Sequence, residues 1–162
     1  MLIRPATVAD LPAVAALYGH EASTGVATFD TEPRPVEAWR TRLESVETGD
    51  HLLVAEVEGA VVGYANSASY RPKAAYARTR EVSVYVGPQA QGRGAGSALY
   101  DELLGLLRTD GIHRAVAVIA LPNDASLALH RRHGFSSVGV LHEVGHKFGR
   151  WIDTEIVQLS LD

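Results

Sequence analysis

The 162-residue sequence predicts an α/β domain, a sheet with helices on both faces, and three features predict it. The runs HLLVAEV (51–57) and AVVGYANSASY (60–70) read as strands, and only Glu58-Gly59 separates them, as in an antiparallel hairpin. Leu99, Leu103, Leu106 and Leu107 recur at the spacing of an amphipathic helix. Beyond that helix, AVAVI (115–119) is an unbroken apolar run of strand length, the pattern of a central strand buried on both faces.

The elements follow in order. A short strand at Leu2–Arg4 precedes a helix carrying Leu11, Val14, Leu17 and Tyr18, with Asp10 as its expected N-cap and Pro12 tolerated in the first turn. A second amphipathic helix, opened by Pro35, carries Trp39, Leu43 and Val46. The hairpin comes next, then a strand over Arg80–Val86 and the leucine-lined helix, which Gly111 ends. After the 115–119 strand, a short helix spans about Ala125 to His133 and stops at Gly134. Two strands, roughly 135–142 and 151–161, close the chain. This order is not that of a doubly wound nucleotide fold. No repeat, low-complexity stretch or linker divides it, so a single domain over 1–162 is expected.

Composition narrows the function. Hydrophobic residues make up 46% and charged residues 21%, which suits a globular protein and not a disordered one. A net charge of -4 gives no basic footprint for nucleic acid, so any anionic ligand must be held by a local device. The absence of cysteine excludes disulfides, thiolate metal sites and cysteine nucleophiles. The start, MLIRPATVADLP, lacks the apolar stretch of a signal peptide, and no apolar run nears the ~20 residues that span a bilayer. A cytoplasmic protein without a membrane partner is expected.

The sharpest local signal is EVSVYVGPQAQGRGAGSALYDELL (81–104), a strand that leads through a glycine-rich turn into the strong helix. Gly92, Gly94 and Gly96 leave the backbone bare, so successive N–H groups can approach a pyrophosphate at the positive end of that helix. Arg93 adds a fixed charge beside them. A P-loop would need Lys and Ser/Thr after its last glycine, where this chain has Ser97-Ala98. A dinucleotide fingerprint read from Gly92 would need a third glycine where Ser97 stands, and it belongs near the start of a fold. The ordinary alternative is a flexible turn with no ligand, which three alternate glycines at a helix start disfavour.

QGRGAG (91–96) resembles the pyrophosphate loop of the GNAT acetyltransferases, Q/R-x-x-G-x-G/A, and a second signature of that family matches Asn123, Ser126, Leu129, His130, Gly134 and Phe135. The resemblance extends over nearly the whole chain. It implies a mixed, mostly antiparallel sheet with a V-shaped splay between the strand before the loop and the 115–119 strand. It further implies acetyl-CoA as co-substrate, with its pantetheine arm in the splay and no metal. Val84, Tyr85 and Val86 would bond that arm, joined by Asn123 and Ser126. Gln91, Gly92, Arg93, Gly94, Ala95, Gly96 and Ser97 would hold the diphosphate.

Strand period places Glu81, Ser83 and Tyr85 on one face and Val82, Val84 and Val86 on the other. The chemistry the resemblance implies is aminolysis of a thioester. An alkyl ammonium is mostly protonated at neutral pH and must lose a proton to a positioned base before it attacks. From pattern alone Glu81 reads equally as that base or as a surface carboxylate paired with Arg78 or Arg80. The resemblance favours the base, because phosphinothricin-type enzymes carry glutamate at this point. A strand N–H near Tyr85 is placed for the developing oxyanion. Many GNAT enzymes have Tyr where this chain has His130; the phosphinothricin subgroup usually has His, as an acid or part of a proton relay. Pattern alone would make His130 a capped helix histidine.

Three further stretches resemble the subgroup that acetylates phosphinothricin and methionine sulfoximine: TFDTEP (28–33) with Trp39, Tyr70-Arg71-Pro72-Lys73, and VGHKFGRWID (144–153). Such acceptors carry a carboxylate and a polar phosphinyl or sulfoximine end. Arg71 and Lys73 suit those oxygens, Phe29 supplies an apolar wall, and Glu81 and Ser83 complete the expected acceptor site. A solvated loop is the plain alternative for Arg71 and Lys73. The resemblance also implies a site completed across a homodimer, with Lys147 and Trp151 at the interface. His142 to His146 satisfies H-E-x-x-H by letter, but the strand-like context and Gly145 argue against the helix a zinc protease needs. Two rivals remain: a GNAT enzyme for a polyamine, an aminoglycoside or a protein N-terminus, and a non-catalytic acetyl-CoA sensor. The Arg71/Lys73 loop disfavours the cationic acceptors, and Glu81 disfavours the sensor.

Overall fold

A computed structural model describes residues 1–162. Its strands are β1 (Leu2–Pro5), β2 (His51–Val57), β3 (Ala60–Ser69), β4 (Thr79–Val86), β5 (Arg114–Ala120), β6 (Ser136–Lys147) and β7 (Arg150–Ser160). The helices are α1 (Leu11–Thr24), α2 (Val36–Leu43), α3 (Ala95–Thr109) and α4 (Asp124–Arg132). The strands form one sheet in the order β1-β2-β3-β4-β5-β7-β6. Every neighbouring pair is antiparallel except β4 and β5, which run parallel. That parallel pairing covers only Thr79↔Arg114, Arg80↔Ala115 and Glu81↔Val116. Beyond Glu81 the two strands part, although β4 stays paired with β3 as far as Val86 and β5 with β7 as far as Ala120. This is the expected splay. No helix is long and apolar enough to cross a membrane.

Alternation along the strands builds a core on each face. Leu53, Ala55 and Ala65 point to one side, where Leu99, Leu103 and Leu107 of α3 cover them. Leu52, Val54 and Tyr64 point to the other, against Leu11, Val14 and Tyr18 of α1 and Trp39 of α2. Tyr18, Trp39, Tyr64 and Tyr85 form a closed ring of contacts with centroid separations of 5.2–5.5 Å, edge-to-face except for the stacked Tyr64–Tyr85 pair, and these aromatics floor the second face.

Three expectations are refined. Asp10 stands at the N-cap position of α1, as expected, but its side chain bonds no N–H of that helix: a 3₁₀ turn (Val8–Asp10) precedes α1, and the Asp10 carboxylate accepts from the Thr7 N–H at 2.7 Å and from Arg4 at 2.7 and 2.9 Å. Thr7 and Asp10 thus form a capping box around the 3₁₀ turn. Val46 lies outside α2, which ends at Leu43, and is 96% exposed. The sixth strand runs on to Lys147, beyond its expected end near 142, and forms with β7 a hairpin that turns at Phe148-Gly149, where both residues have positive φ.

Leu103 is fully buried beneath the sheet. Leu103→Ala is expected to lower unfolding free energy by about 2–5 kcal/mol, the range for a buried leucine that leaves a cavity. Urea denaturation would show it as a lower midpoint with little change in slope.

Candidate active site

The splay opens a groove of about 570 Å³ between β4 and β5, closed at one end by the start of α3 and along one side by α4. Past Glu81 and Val116 the facing strand edges have no partner strand, so their backbone polar groups are free to bond a ligand amide. At the closed end, Gly92 and Gly94 adopt φ of +72° and +84°, which favours glycine. The first intrahelical bond of α3 runs from the Ala98 N–H to the Gly94 carbonyl. Ala95, Gly96 and Ser97 therefore start the helix with N–H groups that have no partner within it, at its positive end. A Cβ on Gly96 would come within 3.3 Å of the Leu129 side chain, so a bulkier residue would press on α4. Gln91 steadies the turn by donating to the Val86 carbonyl at 3.2 Å. A diphosphate followed by an extended amide-bearing arm fits this donor set.

On the far side of β4 a second cleft, of about 400 Å³, opens between α1, α2 and the sheet. The two cavities share Ala27, Val82, Ser83, Tyr85, Val118 and Ala120, so they meet across the middle of β4. Glu81 lines the second cleft at the vertex of the splay. Neither nearby arginine is paired with it. Arg78 donates to the Gly111 carbonyl, and Arg80 is buried against the Thr48 carbonyl with Asp50 at 3.4 Å. Glu81 keeps an accessible surface because it faces a cavity, yet protein atoms surround it on several sides. Loss of hydration raises its carboxyl above the ordinary range, and the Arg42 charge opposes this only in part. Ser83 donates to Asn66 Oδ1 at 2.9 Å. Arg34 and Arg42 line the same cleft, which makes its wall cationic.

His130 is 3% exposed, at the side of the first groove. Its Nδ1–H donates to the Ser126 carbonyl at 2.7 Å, and its Nε2 accepts from the Tyr100 hydroxyl at 2.8 Å. This pairing fixes the tautomer, and burial lowers the imidazole below its usual pKa, so His130 is neutral at pH 7. Asn123 caps α4 through its side-chain oxygen, which accepts from the Ser126 N–H at 3.1 Å, and so presents its amide nitrogen to the groove.

Residues 14–135 match the acetyltransferase (GNAT) family. The chain belongs to this family. It is 44% identical over 155 residues to a phosphinothricin N-acetyltransferase of Streptomyces coelicolor, covering 93% of this chain and 91% of the relative. It is 40% identical to an L-methionine sulfoximine/L-methionine sulfone acetyltransferase of Pseudomonas aeruginosa, covering 99% of this chain and 94% of the relative. A GNAT phosphinothricin acetyltransferase from Sinorhizobium meliloti, solved in complex with AcCoA, superposes with a TM-score of 0.93 at 36% identity, over 98% of this chain and 87% of that one.

In this GNAT acetyltransferase the groove gathers most of the residues expected to hold the co-substrate: Val84, Tyr85, Val86, Gln91, Gly92, Gly94, Ala95, Gly96, Ser97, Asn123 and Ser126. Arg93 lies exposed on the turn, outside the groove lining. On the acceptor side Phe29, Glu81 and Ser83 come together, whereas Arg71 and Lys73 lie exposed in the loop that follows β3 and do not line the cleft. The Arg71 guanidinium is over the Tyr70 ring at 5.2 Å. Arg34, Arg42 and Tyr100 were not anticipated. Arg42 follows Trp39 by three residues, so helical spacing alone would have put it on the same face of α2. The H-E-x-x-H letters fall on β6, not on a helix: His142 donates to Asp153 at 3.1 Å and His146 packs on Trp151 at 4.7 Å.

Gly94→Asp is expected to abolish acetyl-CoA binding, because it places a strained side chain and a negative charge where N–H groups face the diphosphate. Calorimetric titration of the folded variant checks this; unchanged affinity would refute the cradle.

Proposed function

We propose that this enzyme transfers the acetyl group of acetyl-CoA directly to the α-amine of a small amino-acid analogue with an oxygen-rich end, namely phosphinothricin, methionine sulfoximine or methionine sulfone, with Glu81 as general base. The observation that carries the proposal is the meeting of two cavities across β4. One suits a diphosphate and its arm; the other holds an unpaired carboxylate and two guanidinium groups. The names of the S. coelicolor and P. aeruginosa relatives support the acceptor class.

Bound acetyl-CoA supplies a thioester carbonyl open to attack by an amine. Glu81 takes the ammonium proton, directly or through one water, and its raised pKa brings it closer to the amine it must deprotonate. A β4 N–H near Tyr85 bonds the carbonyl oxygen as that atom gains charge. Arg42, and Arg34 beside its Asp30 partner, attract the carboxylate or phosphinyl oxygens of the acceptor. Phe29 and Tyr85 wall the cleft and limit its water. Neutral His130 is part of a hydrogen-bond relay and orients the Tyr100 hydroxyl at the groove wall. The active species is a homodimer in this proposal. The support is the apolar surface of the β6–β7 hairpin, where Val138, Val144, Phe148 and Trp151 are each more than half exposed.

Glu81→Gln is expected to lower kcat by roughly 10²–10⁴ with acetyl-CoA affinity nearly unchanged. Since the base must be ionised and its pKa is raised, kcat/KM should fall as pH drops through a value above the ordinary carboxylate range. That limb should vanish in the variant. Full activity of Glu81→Gln at neutral pH would remove Glu81 from the reaction.

The acceptor class is tested by kcat/KM across phosphinothricin, methionine sulfoximine, methionine sulfone, spermidine, kanamycin and a peptide N-terminus. The amino-acid analogues should lead, because Arg34 is already paired with Asp30 and Arg42 is left without an anion by acceptors that lack an oxygen-rich end. A polyamine or peptide preferred by about tenfold, or 1.4 kcal/mol, would overturn the acceptor assignment and leave acetyl transfer standing.

A further inference from the structure

The segment between α1 and α2, residues 25–35, carries four of the residues that line the acceptor cleft: Ala27, Thr28, Phe29 and Arg34. It has no regular secondary structure beyond isolated bends, so side chains must hold it. On its inner side the Tyr18 hydroxyl donates to Asp30 at 2.5 Å and accepts from the Thr28 hydroxyl at 2.7 Å, and Arg34 donates to the same Asp30 oxygen at 2.6 Å. These contacts come from α1 and from the segment itself. The outer side is held differently, by the last strand hairpin of the chain.

Two residues of β6 meet the segment there. Lys147 is 3% exposed, and its Nζ donates to the Thr28 carbonyl at 2.9 Å. The chain thus buries an ammonium at substantial desolvation cost in order to bond a backbone oxygen 119 residues away. Asp30 and Glu21 offset part of that cost through space. One turn of the pleat earlier, Gly145 is buried with Phe29 packed against it: a Cβ there would lie 2.2 Å from Phe29 Cε2 and 2.5 Å from Cζ. Gly145 needs no unusual φ, so its bareness serves the ring and not the backbone. The rest of the hairpin keeps these two residues in place. Phe148 and Gly149 make the turn, and Asp153 accepts from the Glu143 N–H at 2.7 Å, which fixes the bulge just before Gly145. This placement also corrects the expectation that Lys147 lies at a subunit interface, since its side chain is directed into its own chain.

We infer that Gly145 and Lys147 are positioning residues for the acceptor: through Phe29 and Thr28 they clamp segment 25–35, so the C-terminal hairpin sets acceptor recognition without touching the acceptor. The inference rests on the reading of the second cleft as the acceptor site. It assigns the clamp an effect on acceptor KM and none on acetyl-CoA KM, because neither residue borders the first groove and the two residues they hold, Thr28 and Phe29, line only the second cleft; of the segment Ala27 alone lines both.

The test uses steady-state kinetics with the best acceptor of the panel. Phe29→Ala, Gly145→Ala and the double variant form one set; Lys147→Met and Lys147→Arg form the second. Gly145→Ala and Lys147→Met should each raise acceptor KM by about three- to tenfold, the scale of one hydrogen bond, with acetyl-CoA KM unchanged. Lys147→Arg, which restores a donor, should recover most of the loss. In the Phe29→Ala background Gly145→Ala should add nothing, since the ring it displaces is gone. An undiminished Gly145→Ala effect in that background overturns the clamp alone. Phe29→Ala with normal acceptor KM overturns the clamp together with the cleft reading. Should Gly145→Ala fail to fold, the Lys147 pair decides: equal shifts in both KM values, or no rescue by Arg, overturn the clamp.

Discussion

The parting of β4 from β5 after three paired residues is the constraint on which the site depends. Each strand keeps its outer neighbour, so the sheet stays whole while its centre opens. Two facing edges are thereby left with backbone groups that no strand satisfies, an arrangement that costs free energy unless water or a ligand bonds them. Glu81, the last residue of β4 paired with β5, stands at the vertex of this opening and lines the second cleft. A fully zipped β4–β5 pair would close the groove.

Electrostatics divide the labour on a chain whose net charge is -4. The first groove offers an anionic ligand helix N–H groups, a bare turn and one arginine of its lining, Arg132. The acceptor cleft instead carries its cations as arginines on the segment before α2 and on α2 itself. Arg34 is tied to Asp30, and that pair, together with Tyr18, orders the segment from inside. The site is consequently assembled from the first third of the chain, the central V and the last hairpin.

The sequence made part of this plain. Local patterns placed the helices and strands, apart from the ends of α2 and β6, and the spacing of Gly92, Gly94 and Gly96 marked the bare turn that starts α3. The polar face of β4 was equally readable from its period of two. Arg42 and Tyr100 escaped because their importance comes from what folds against them: Arg42 faces the cleft only once α2 lies on the sheet, and Tyr100 matters through His130, thirty residues on. Arg71 and Lys73 show the converse, since their chemistry suits the acceptor while the loop holds them outside the cleft lining. The V-G-x-K stretch was legible as a pattern but not as a contact, for its partners Phe29 and Thr28 lie more than a hundred residues away.

Two cavities that meet across β4 let both substrates be bound together, so the acetyl group has no need to rest on the protein. Initial rates measured while both substrates are varied test this most directly. Direct transfer predicts double-reciprocal lines that intersect, and intact-mass analysis after mixing with acetyl-CoA alone should find unmodified chain. Parallel lines together with a covalently acetylated enzyme that passes its acetyl group to the acceptor would contradict the account.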